Sequence, residues 1–246
     1  MSRKKKQRVI DIEKEAVELG PRGKEKKEDR WKKNVVVSAQ TAGQKEYIKA
    51  ILNNDIIFCT GPAGTGKTIV AVGLALQQIC APVPAFDKLV IMRPAKEACD
   101  EHIGFLPGQI EDKLQPYLAP VMDNAEVFLD KTAIKNLIWQ GKIESIPLAF
   151  MRGRSLNKSI IICDEGQNLT VKQTLLCLTR LGKGSKMIIN GDLSQSDIKE
   201  QNGLADAKER LQGIPCIAFV ELTEKDIVRH PLIIKILERY FGEPSA

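Results

Sequence analysis

The feature that most constrains the fold of this chain is a glycine-rich segment of eight residues. It reads Gly61-Pro62-Ala63-Gly64-Thr65-Gly66-Lys67-Thr68, which has the spacing Gly-x-x-x-x-Gly-Lys-Thr. An apolar run, Asp55–Thr60, precedes this segment, and a second apolar run, Ile69–Leu76, follows it. The arrangement predicts a strand, a loop and a helix, with backbone amides of the loop surrounding phosphate oxygens at the helix N-terminus. We therefore expect a Walker A phosphate-binding loop at Gly61–Thr68.

Two side chains of this loop carry the chemistry expected of a nucleotide site. Lys67 is expected to reach the β- and γ-phosphates, and the Thr68 hydroxyl is expected to coordinate Mg²⁺. The other loop residues are expected to hold the phosphates through their backbone amides. ATP and Mg²⁺ are accordingly the expected ligands of the segment.

A pair of adjacent carboxylates, Asp164 and Glu165, follows the apolar run Ser159–Cys163. A buried strand would deliver both to the carboxyl edge of a sheet, where Asp164 would hold Mg²⁺ directly or through water. Glu165 would accept a proton from the attacking water or orient it. Carboxylates after a strand also serve as helix caps, which is the alternative interpretation. A base for water favours hydrolysis over small-molecule kinase chemistry, which must exclude water.

A third polar cluster ends another β-branched run, in the segment Ile188–Gln195. A strand that ends in a glycine turn would bring Gln195 beside the γ-phosphate as a sensor. The alternative is an ordinary turn. Gln195 joins Lys67 and Glu165 as a catalytic residue predicted from the motifs.

Short β-branched runs alternate with helical stretches from Val35 onward, which is typical of an α/β domain with a mainly parallel sheet flanked by helices. Five runs are short and apolar enough to be buried strands. They are Asp55–Thr60, Lys88–Arg93, Ser159–Cys163, Lys186–Asn190 and Cys216–Leu222. Helical periodicity predicts helices at Leu169–Leu181, Leu204–Leu211 and Leu232–Phe241. Residues 95–158 are predicted to form a mostly helical insertion that ends in a strand at Ile146–Met151, within one domain over residues 35–246.

The first 34 residues form a basic arm that carries the whole net charge of the chain. Residues 1–34 hold 13 Lys and Arg against 7 Asp and Glu, whereas the remaining residues hold 24 of each. Such an arm suits a polyanion, because each phosphate that is neutralised releases a counterion. The alternative is a solvated tail that only aids solubility.

Composition and patterning argue against membrane and secreted classes. No apolar run approaches the roughly 18 residues that a membrane helix needs, and no apolar region of a secretory signal follows the basic start. The six cysteines are scattered without a Cys-x-x-Cys pair, which argues against a metal site and for reduced thiols. A cytoplasmic protein without a membrane partner is expected.

In these motifs and in several further blocks, the chain resembles the PhoH-like family, a single-core group similar to superfamily-one helicases. The resemblance spans about residues 35–241 and includes ordered blocks besides the Walker A segment. These are Arg93–Ala95, Gly104–Gly108, Pro116–Leu118, Pro147–Arg154, Asp164–Asn168, Gly191–Gln195 and Val228–Pro231. Gly166 departs from the family, which usually has alanine there, but both residues are small. The resemblance implies a RecA-like P-loop core and a Mg-dependent ATPase, helicase-like in acting on RNA or single-stranded DNA.

The resemblance also implies roles for further polar residues. Gln44 is expected to read the adenine edge, and the alternative is a surface amide. Arg93, Arg152 and Arg154 are expected to contact a nucleic-acid strand at the top of the sheet, since a guanidinium forms bidentate contacts with phosphate. Salt bridges within the insertion are the alternative for these three arginines.

Arg229 is expected to act between subunits of a homo-oligomer. Helicase-like ATP sites lie between two RecA-like cores, one of which supplies an arginine to the other. The chain has length for one such core, so we expect a hexameric ring in which Arg229 completes a neighbour's site. The alternatives are that Arg229 serves its own γ-phosphate or a local carboxylate such as Asp226. For the chain as a whole, the alternative function is a nucleotide-switched assembly module that binds a protein partner.

Overall fold

A computed structural model describes residues 35–94, 122–198 and 201–228 of the chain, together with residue 239. The predicted arm, the first part of the predicted insertion and Arg229 lie outside these residues, as does the predicted helix Leu232–Phe241 except for residue 239. The predicted domain boundaries therefore stay predictions.

Six strands form one parallel sheet at the centre of the described residues. They are β1 (Ile56–Thr60), β2 (Lys88–Arg93), β3 (Ile143–Pro147), β4 (Ser159–Cys163), β5 (Lys186–Gly191) and β6 (Ile217–Glu221). Their order across the sheet is β3-β2-β4-β5-β1-β6, and every neighbouring pair is parallel.

Within the described ranges, five α-helices with complete bounds cover the two faces of the sheet. They are α1 (Ala42–Asn53), α2 (Lys67–Ile79), α3 (Lys131–Trp139), α4 (Val171–Leu178) and α5 (Gly203–Leu211). In β4, Ile160 and Ile162 pack in one core with α1, α2 and α3, whereas Ile161 and Cys163 pack in the other with α4 and α5. Burial of both faces explains why the strands read as continuous apolar runs. The predicted fold class, a RecA-like α/β core with a mainly parallel sheet flanked by helices, is confirmed.

The edge strand β3 begins and ends earlier than predicted. The sequence predicts a strand at Ile146–Met151, whereas β3 covers Ile143–Pro147 and a 3₁₀ helix follows at Leu148–Met151. Pro147 is tolerated at the end of β3 because an edge strand leaves backbone groups unpaired on one side. Leu148 and Met151 are both buried, and residues three apart share one face of a 3₁₀ helix but opposite faces of a strand.

The helix α4 is shorter than the predicted Leu169–Leu181 because a cap fixes its start. The Thr170 hydroxyl accepts from the Gln173 backbone N–H over 3.3 Å, and the Gln173 side chain accepts from the Thr170 backbone N–H over 2.9 Å. This reciprocal pair is a capping box, so the helix begins at the next residue, Val171. Among the described helices, none combines the length and the apolar character needed to cross a membrane.

The strand order brings the predicted motifs to one edge of the sheet. The strand β5 lies between β1 and β4, and Thr60 at the end of β1 pairs with Gly191 at the end of β5. Because all strands are parallel, the loops after β1, β4 and β5 leave from the same edge. Ligands of open parallel sheets bind at the carboxyl ends of the strands, so this edge is where a site is expected.

Candidate functional site

The loop after β1 has a backbone conformation that favours glycine, as its first and last glycines show. Gly61 has φ 151° and Gly66 has φ 85°, values that disfavour other residues. At Gly61 a Cβ would also lie 2.5 Å from the Leu222 carbonyl oxygen. The Thr65 hydroxyl closes the turn by donating to the Pro62 carbonyl over 2.9 Å. The loop leads directly into α2, whose free N-terminal amides are suited to phosphate.

Lys67 folds back onto this loop. Its Nζ donates to the carbonyl oxygens of Gly61 over 2.6 Å and Pro62 over 2.9 Å. Burial lowers the pKa of Lys67, and the surrounding acidic groups, Asp192 and Asp164 among them, oppose that shift. The ammonium is therefore held at the mouth of the loop, where a bound phosphate would meet it.

Asp164 connects the P-loop helix to the end of β2. Its Oδ1 accepts from the Thr68 hydroxyl over 2.9 Å, and its Oδ2 accepts from Arg93 Nη2 over 2.9 Å. Asp164 is buried and the Arg93 side chain is 17% exposed, so the ion pair is largely shielded from water. The Thr68 hydroxyl and the Asp164 carboxylate thus lie next to each other.

These two oxygen donors fit a magnesium ion that is bound together with a nucleotide. Mg²⁺ prefers oxygen ligands, and at phosphate sites it takes one or two carboxylates and completes its shell with phosphate and water. The described residues contain no cluster of three or more His, Cys, Asp or Glu that could hold a metal without such help. Thr68 and Asp164 therefore fit the predicted site, and their binding of Mg²⁺ stays a prediction.

Glu165 projects from the end of β4 in a backbone conformation that is unusual for a glutamate. Its φ of 58° and ψ of 35° lie in the left-handed region, and the residue is exposed. Glu165 Oε2 accepts from Gln167 Nε2 over 2.6 Å, and Gln167 Oε1 accepts from the Asp192 backbone N–H over 3.0 Å. Gln167 therefore fixes the carboxylate relative to the end of β5. A carboxylate held in this way can orient a water molecule and accept its proton.

Gln195 ends a short 3₁₀ helix, Leu193–Gln195, at the same edge of the sheet. Asp192 caps this helix, since its Oδ1 accepts from the Ser194 backbone N–H over 3.1 Å. Gln195 Nε2 donates to Asp192 Oδ2 over 2.8 Å. The turn is ordered by Asp192, and the sensor role of Gln195 stays a prediction.

Gln44 is buried against the P-loop, with 4% of its surface exposed. Its Nε2 donates to the Thr65 carbonyl over 3.0 Å, and its Oε1 accepts from the Gln40 backbone N–H over 2.8 Å. Gln44 is therefore not a surface amide. Its contact with adenine stays a prediction.

The segment after β6 is anchored to α1 through Asp226. The Asp226 carboxylate accepts from the backbone N–H groups of Gly43 over 3.1 Å and Thr223 over 2.9 Å. Burial alone would raise the pKa of Asp226, but the hydrogen bonds from Thr223, Thr41 and Gly43 outweigh it and lower the pKa below its ordinary value. The carboxylate is thus engaged by neighbouring groups of its own chain.

The same segment contacts the P-loop just before Arg229. The Val228 backbone N–H donates to the Gly64 carbonyl over 2.9 Å. Arg229 itself lies outside the described residues, so its role stays a prediction.

The three arginines predicted to contact nucleic acid do not form one cluster. Arg93 lies at the top of the sheet, bound to Asp164. Arg154 does not lie there, because its Nη2 is 3.6 Å from Oε2 of Glu144, the second residue of β3. Arg152 is exposed on the intervening loop. Ion pairs are thus present for two of the three arginines, and nucleic-acid contact stays a prediction.

The loops enclose a cleft of about 300 Å³. The predicted residues that line it are Ala63, Gly64, Gly66, Lys67, Thr68, Asp164, Glu165 and Gln195. Gly61, Pro62 and Thr65 act through the loop bonds described above. Four polar residues that were not predicted as site residues also line the cleft, namely Asn124, Gln167, Asn190 and Asp192. The rule that ligands bind at strand ends could have found Asn190 and Asp192, whereas Asn124 lies in the insertion, where no motif marks it.

The sequence matches one family of known proteins over most of its length. A family model described as PhoH-like protein matches residues 36–241. The chain is 47% identical over 206 residues to the PhoH-like protein of Bacillus subtilis, covering 83% of this chain and 64% of that protein. It is 44% identical over 213 residues to the PhoH-like protein of Synechocystis, covering 86% of this chain and 64% of that protein. The chain therefore spans slightly less than two thirds of the length of these relatives.

Solved structures with a similar fold share little sequence with the chain. The Pif1 helicase from Candida albicans is 15% identical with a TM-score of 0.42, covering 82% of this chain and 44% of that chain. The large terminase of a thermophilic bacteriophage, in complex with ADP, is 11% identical with a TM-score of 0.45, covering 83% of this chain and 50% of that chain. These likenesses concern the fold alone. Because the family model accounts for residues 36–241, from α1 through the P-loop and the strand-end carboxylates to β6, the chain belongs to the PhoH-like family.

Proposed function

We propose that this chain binds Mg-ATP in the cleft and hydrolyses it. The observation that carries the proposal is that Lys67, Thr68, Asp164 and Glu165 line one cleft, although they follow two different strands. A cation for the phosphates, oxygen donors for Mg²⁺ and a carboxylate for water are the parts that phosphoryl transfer to water requires.

Each of these side chains has its own part in the proposed reaction. Lys67 neutralises charge on the β- and γ-phosphates. Thr68 and Asp164 hold Mg²⁺, which when bound supplies positive charge that polarises the phosphate oxygens. Glu165 orients the attacking water and takes its proton as the new bond from oxygen to the γ-phosphorus forms. The bond from the γ-phosphorus to the bridging oxygen breaks, and that oxygen leaves with ADP. Gln195 acts as the γ-phosphate sensor.

A separate residue, Gln44, is the candidate for binding the adenine base of the nucleotide. Gln44 donates a hydrogen bond to the Thr65 carbonyl of the P-loop. The residue proposed to contact adenine is therefore also bonded to the loop that would hold the phosphates. We propose that Gln44 contacts the adenine edge. Competition between ATP and the other nucleoside triphosphates in wild-type and Gln44→Ala protein tests this assignment, because only a base contact changes the preference among them.

We further propose that ATP turnover drives movement or remodelling on RNA or single-stranded DNA. The basic arm, residues 1–34, suits contact with a phosphate backbone. Among the described residues, Phe150 is 68% exposed and lies two positions from the exposed Arg152, so one surface offers an aromatic ring and a guanidinium. Arg154 extends this basic surface. Arg93 is bound to Asp164, so a strand that contacted Arg93 would act directly on a carboxylate proposed to hold Mg²⁺.

An ATPase assay with and without RNA and single-stranded DNA, at one stated salt concentration, tests this function. Stimulation of phosphate release by either strand is the expected result, and Lys67→Ala protein should show none. Phosphate must appear in solution, not on an added acceptor, because a kinase would transfer it. Nucleotide-dependent binding of a protein partner without any stimulation by nucleic acid would favour the assembly module instead.

We propose that the working form is a hexameric ring in which Arg229 completes a neighbour's site. The described residues form one RecA-like domain with a single sheet. An arginine from a second copy would supply the positive charge that one such domain lacks. One observation favours the alternative, in which Arg229 serves its own subunit. The Val228 backbone N–H is bonded to the Gly64 carbonyl, so Arg229 follows directly on a residue that touches its own P-loop.

Mixing two inactive variants, Lys67→Ala and Arg229→Ala, separates these two arrangements. In a ring, some interfaces then pair an intact loop with an intact arginine, so part of the ATPase activity should return. Absence of recovery despite measured subunit exchange would assign Arg229 to its own subunit or outside the site. A monomer at working concentration, shown by sedimentation, would end the ring model.

We assign the protein to the cytoplasm. The five described cysteines are free, and four of them are buried, as expected of thiols in a reducing compartment. Fractionation of cells that produce the tagged chain tests this assignment, and recovery outside the cytoplasmic fraction would contradict it.

A further inference from the structure

Asn190, the fifth residue of β5, is completely buried, with 0% of its surface exposed. Its Oδ1 accepts a hydrogen bond from the Tyr47 hydroxyl over 2.6 Å. Among the described residues, its Nδ2 has no hydrogen-bond partner. A buried amide donor without an acceptor is destabilising, and a ligand can supply the acceptor where such an amide also lines a cleft.

Asn190 is one of the residues that line the cleft. Lys67 and Glu165 line it as well, because β5 lies between β1 and β4. Tyr47 comes from α1 and occupies Oδ1, which leaves Nδ2 for the cleft. The reverse orientation would turn a carbonyl oxygen toward anionic phosphates, which is repulsive. Burial raises the pKa of Tyr47 well above its ordinary value, so its hydroxyl remains a donor at neutral pH.

The helix α1 contacts both this amide and the P-loop. Tyr47 bonds to Asn190, and Gln44, one turn earlier on α1, bonds to the Thr65 carbonyl over 3.0 Å. Gly66 permits this approach, because a Cβ there would lie 2.7 Å from Gln44 Nε2. A single helix therefore sets the position of the amide relative to the loop that would hold the phosphates.

We propose that Asn190 Nδ2 donates a hydrogen bond to the γ-phosphate of ATP and so distinguishes ATP from ADP, with Tyr47 as the residue that positions the amide. This inference rests on the proposed function, since it takes ATP as the ligand of the cleft. Only a nucleotide with a third phosphate satisfies the amide. The consequence is a difference in affinity between ATP and ADP that depends on Asn190 and Tyr47.

The test compares, by calorimetry on the full chain with Mg²⁺, the affinities for a non-hydrolysable ATP analogue and for ADP. Asn190→Asp keeps the shape but replaces the donor with an anionic acceptor, and Asn190→Ala removes the donor without adding charge. We expect the ratio of analogue affinity to ADP affinity to fall about tenfold or more in both, because a hydrogen bond to a charged group is lost. Tyr47→Phe should lower the same ratio about threefold, with ADP affinity unchanged, because the amide is then free to rotate.

Asn168→Asp is the matched control. Asn168 Nδ2 is also buried without a partner among the described residues, but Asn168 does not line the cleft. This variant should keep the wild-type ratio, and a fall equal to that of Asn190→Asp would overturn the inference. Thermal unfolding shows which variants are folded. If neither Asn190 variant folds, Tyr47→Phe decides the question.

Failure of this inference and failure of the proposed function give different results. An unchanged ratio in folded Asn190 variants, while the wild type binds the analogue and Lys67→Ala does not, overturns the role of Asn190 alone. A folded wild-type chain that binds neither nucleotide overturns the proposed function and the inference with it.

Discussion

The carboxyl edge of the sheet and its β3 edge hold their charged side chains in different ways. At the carboxyl edge, Asp164 is buried and contacts both Thr68 and Arg93 at 2.9 Å. At the β3 edge, Arg154 lies 3.6 Å from Glu144, and the arginine side chain is 43% exposed. The first arrangement leaves its groups little freedom, whereas an exposed pair of the second kind contributes little to stability and exchanges partners readily.

This difference predicts which substitutions should change ATP hydrolysis and which should change nucleic-acid binding. In the cleft, the same side chains hold the structure together and take part in the proposed reaction. A single substitution there should therefore change hydrolysis strongly. At the β3 edge, an arginine can leave its carboxylate for a phosphate without disturbing the core. Substitutions there should change nucleic-acid binding and leave basal hydrolysis intact.

The largest effect is expected at Glu165. Glu165→Gln keeps the shape and an acceptor for Gln167 but cannot take a proton, so hydrolysis should fall roughly 10²–10⁴-fold while ATP binding is retained. Phosphate release and equilibrium binding measure the two quantities separately. If Asp164→Asn alone stops hydrolysis and Glu165→Gln turns over normally, Glu165 is not the base.

A smaller effect is expected at Gln167, which only positions Glu165. Gln167→Ala should lower kcat about tenfold with KM for ATP little changed, because the carboxylate is no longer held in place. Gln167→Glu would set a second carboxylate beside Glu165, and repulsion between the two should displace the Glu165 carboxylate and also lower kcat. A folded Gln167→Ala protein with wild-type kcat would show that this contact has no part in catalysis.

Asp226 tests how the segment after β6 is attached to α1, independently of ATP hydrolysis. Asp226→Asn places an amide donor against the backbone N–H groups of Gly43 or Thr223 and should destabilise the fold by about 1–3 kcal/mol. The folded-state pKa of Asp226 is lowered, so its contribution is present above its unfolded pKa of about 4 and is lost as the pH falls through the folded value. In urea unfolding, the gap between wild type and variant at pH 7 should therefore shrink in acid. An equal gap at both pH values would contradict the assignment.

The smallest effects are expected at the basic surfaces. Arg152→Ala should reduce the slope of log affinity against log salt for a single strand by about 0.7, the value for one lost phosphate contact. Deleting residues 1–30 should flatten the slope further, because several contacts are lost, while basal hydrolysis survives. Lys131→Ala is the control, since Lys131 is an exposed lysine of α3 beside Glu126. Slopes equal to that of the wild type would mean that these residues make few phosphate contacts.

A part of the fold or of the candidate site could be predicted when a short stretch of sequence determines its geometry. A P-loop needs its glycines and lysine at fixed spacing, and a buried strand brings its following carboxylates to the sheet edge, so Gly61–Thr68 and Asp164 could be read from the sequence. The bond between Tyr47 and Asn190 joins residues 143 positions apart, which no local pattern reports. The start of β3 was missed because Glu144 and Ser145 interrupt its apolar character, so the apolar run begins only at Ile146 and continues into the 3₁₀ helix.

The most direct test of the account is Mg-dependent ATP hydrolysis by wild-type, Lys67→Ala and Lys88→Ala proteins. Lys88 is the matched control, because it lies at the start of β2, away from the cleft, and its Nζ is 2.9 Å from Glu144. Removing the cation that faces the phosphates should slow turnover about a hundredfold or more, corresponding to about 3 kcal/mol, while Lys88→Ala turns over like the wild type. Near-wild-type hydrolysis by a folded Lys67→Ala protein would contradict the assignment of this cleft as an ATP site.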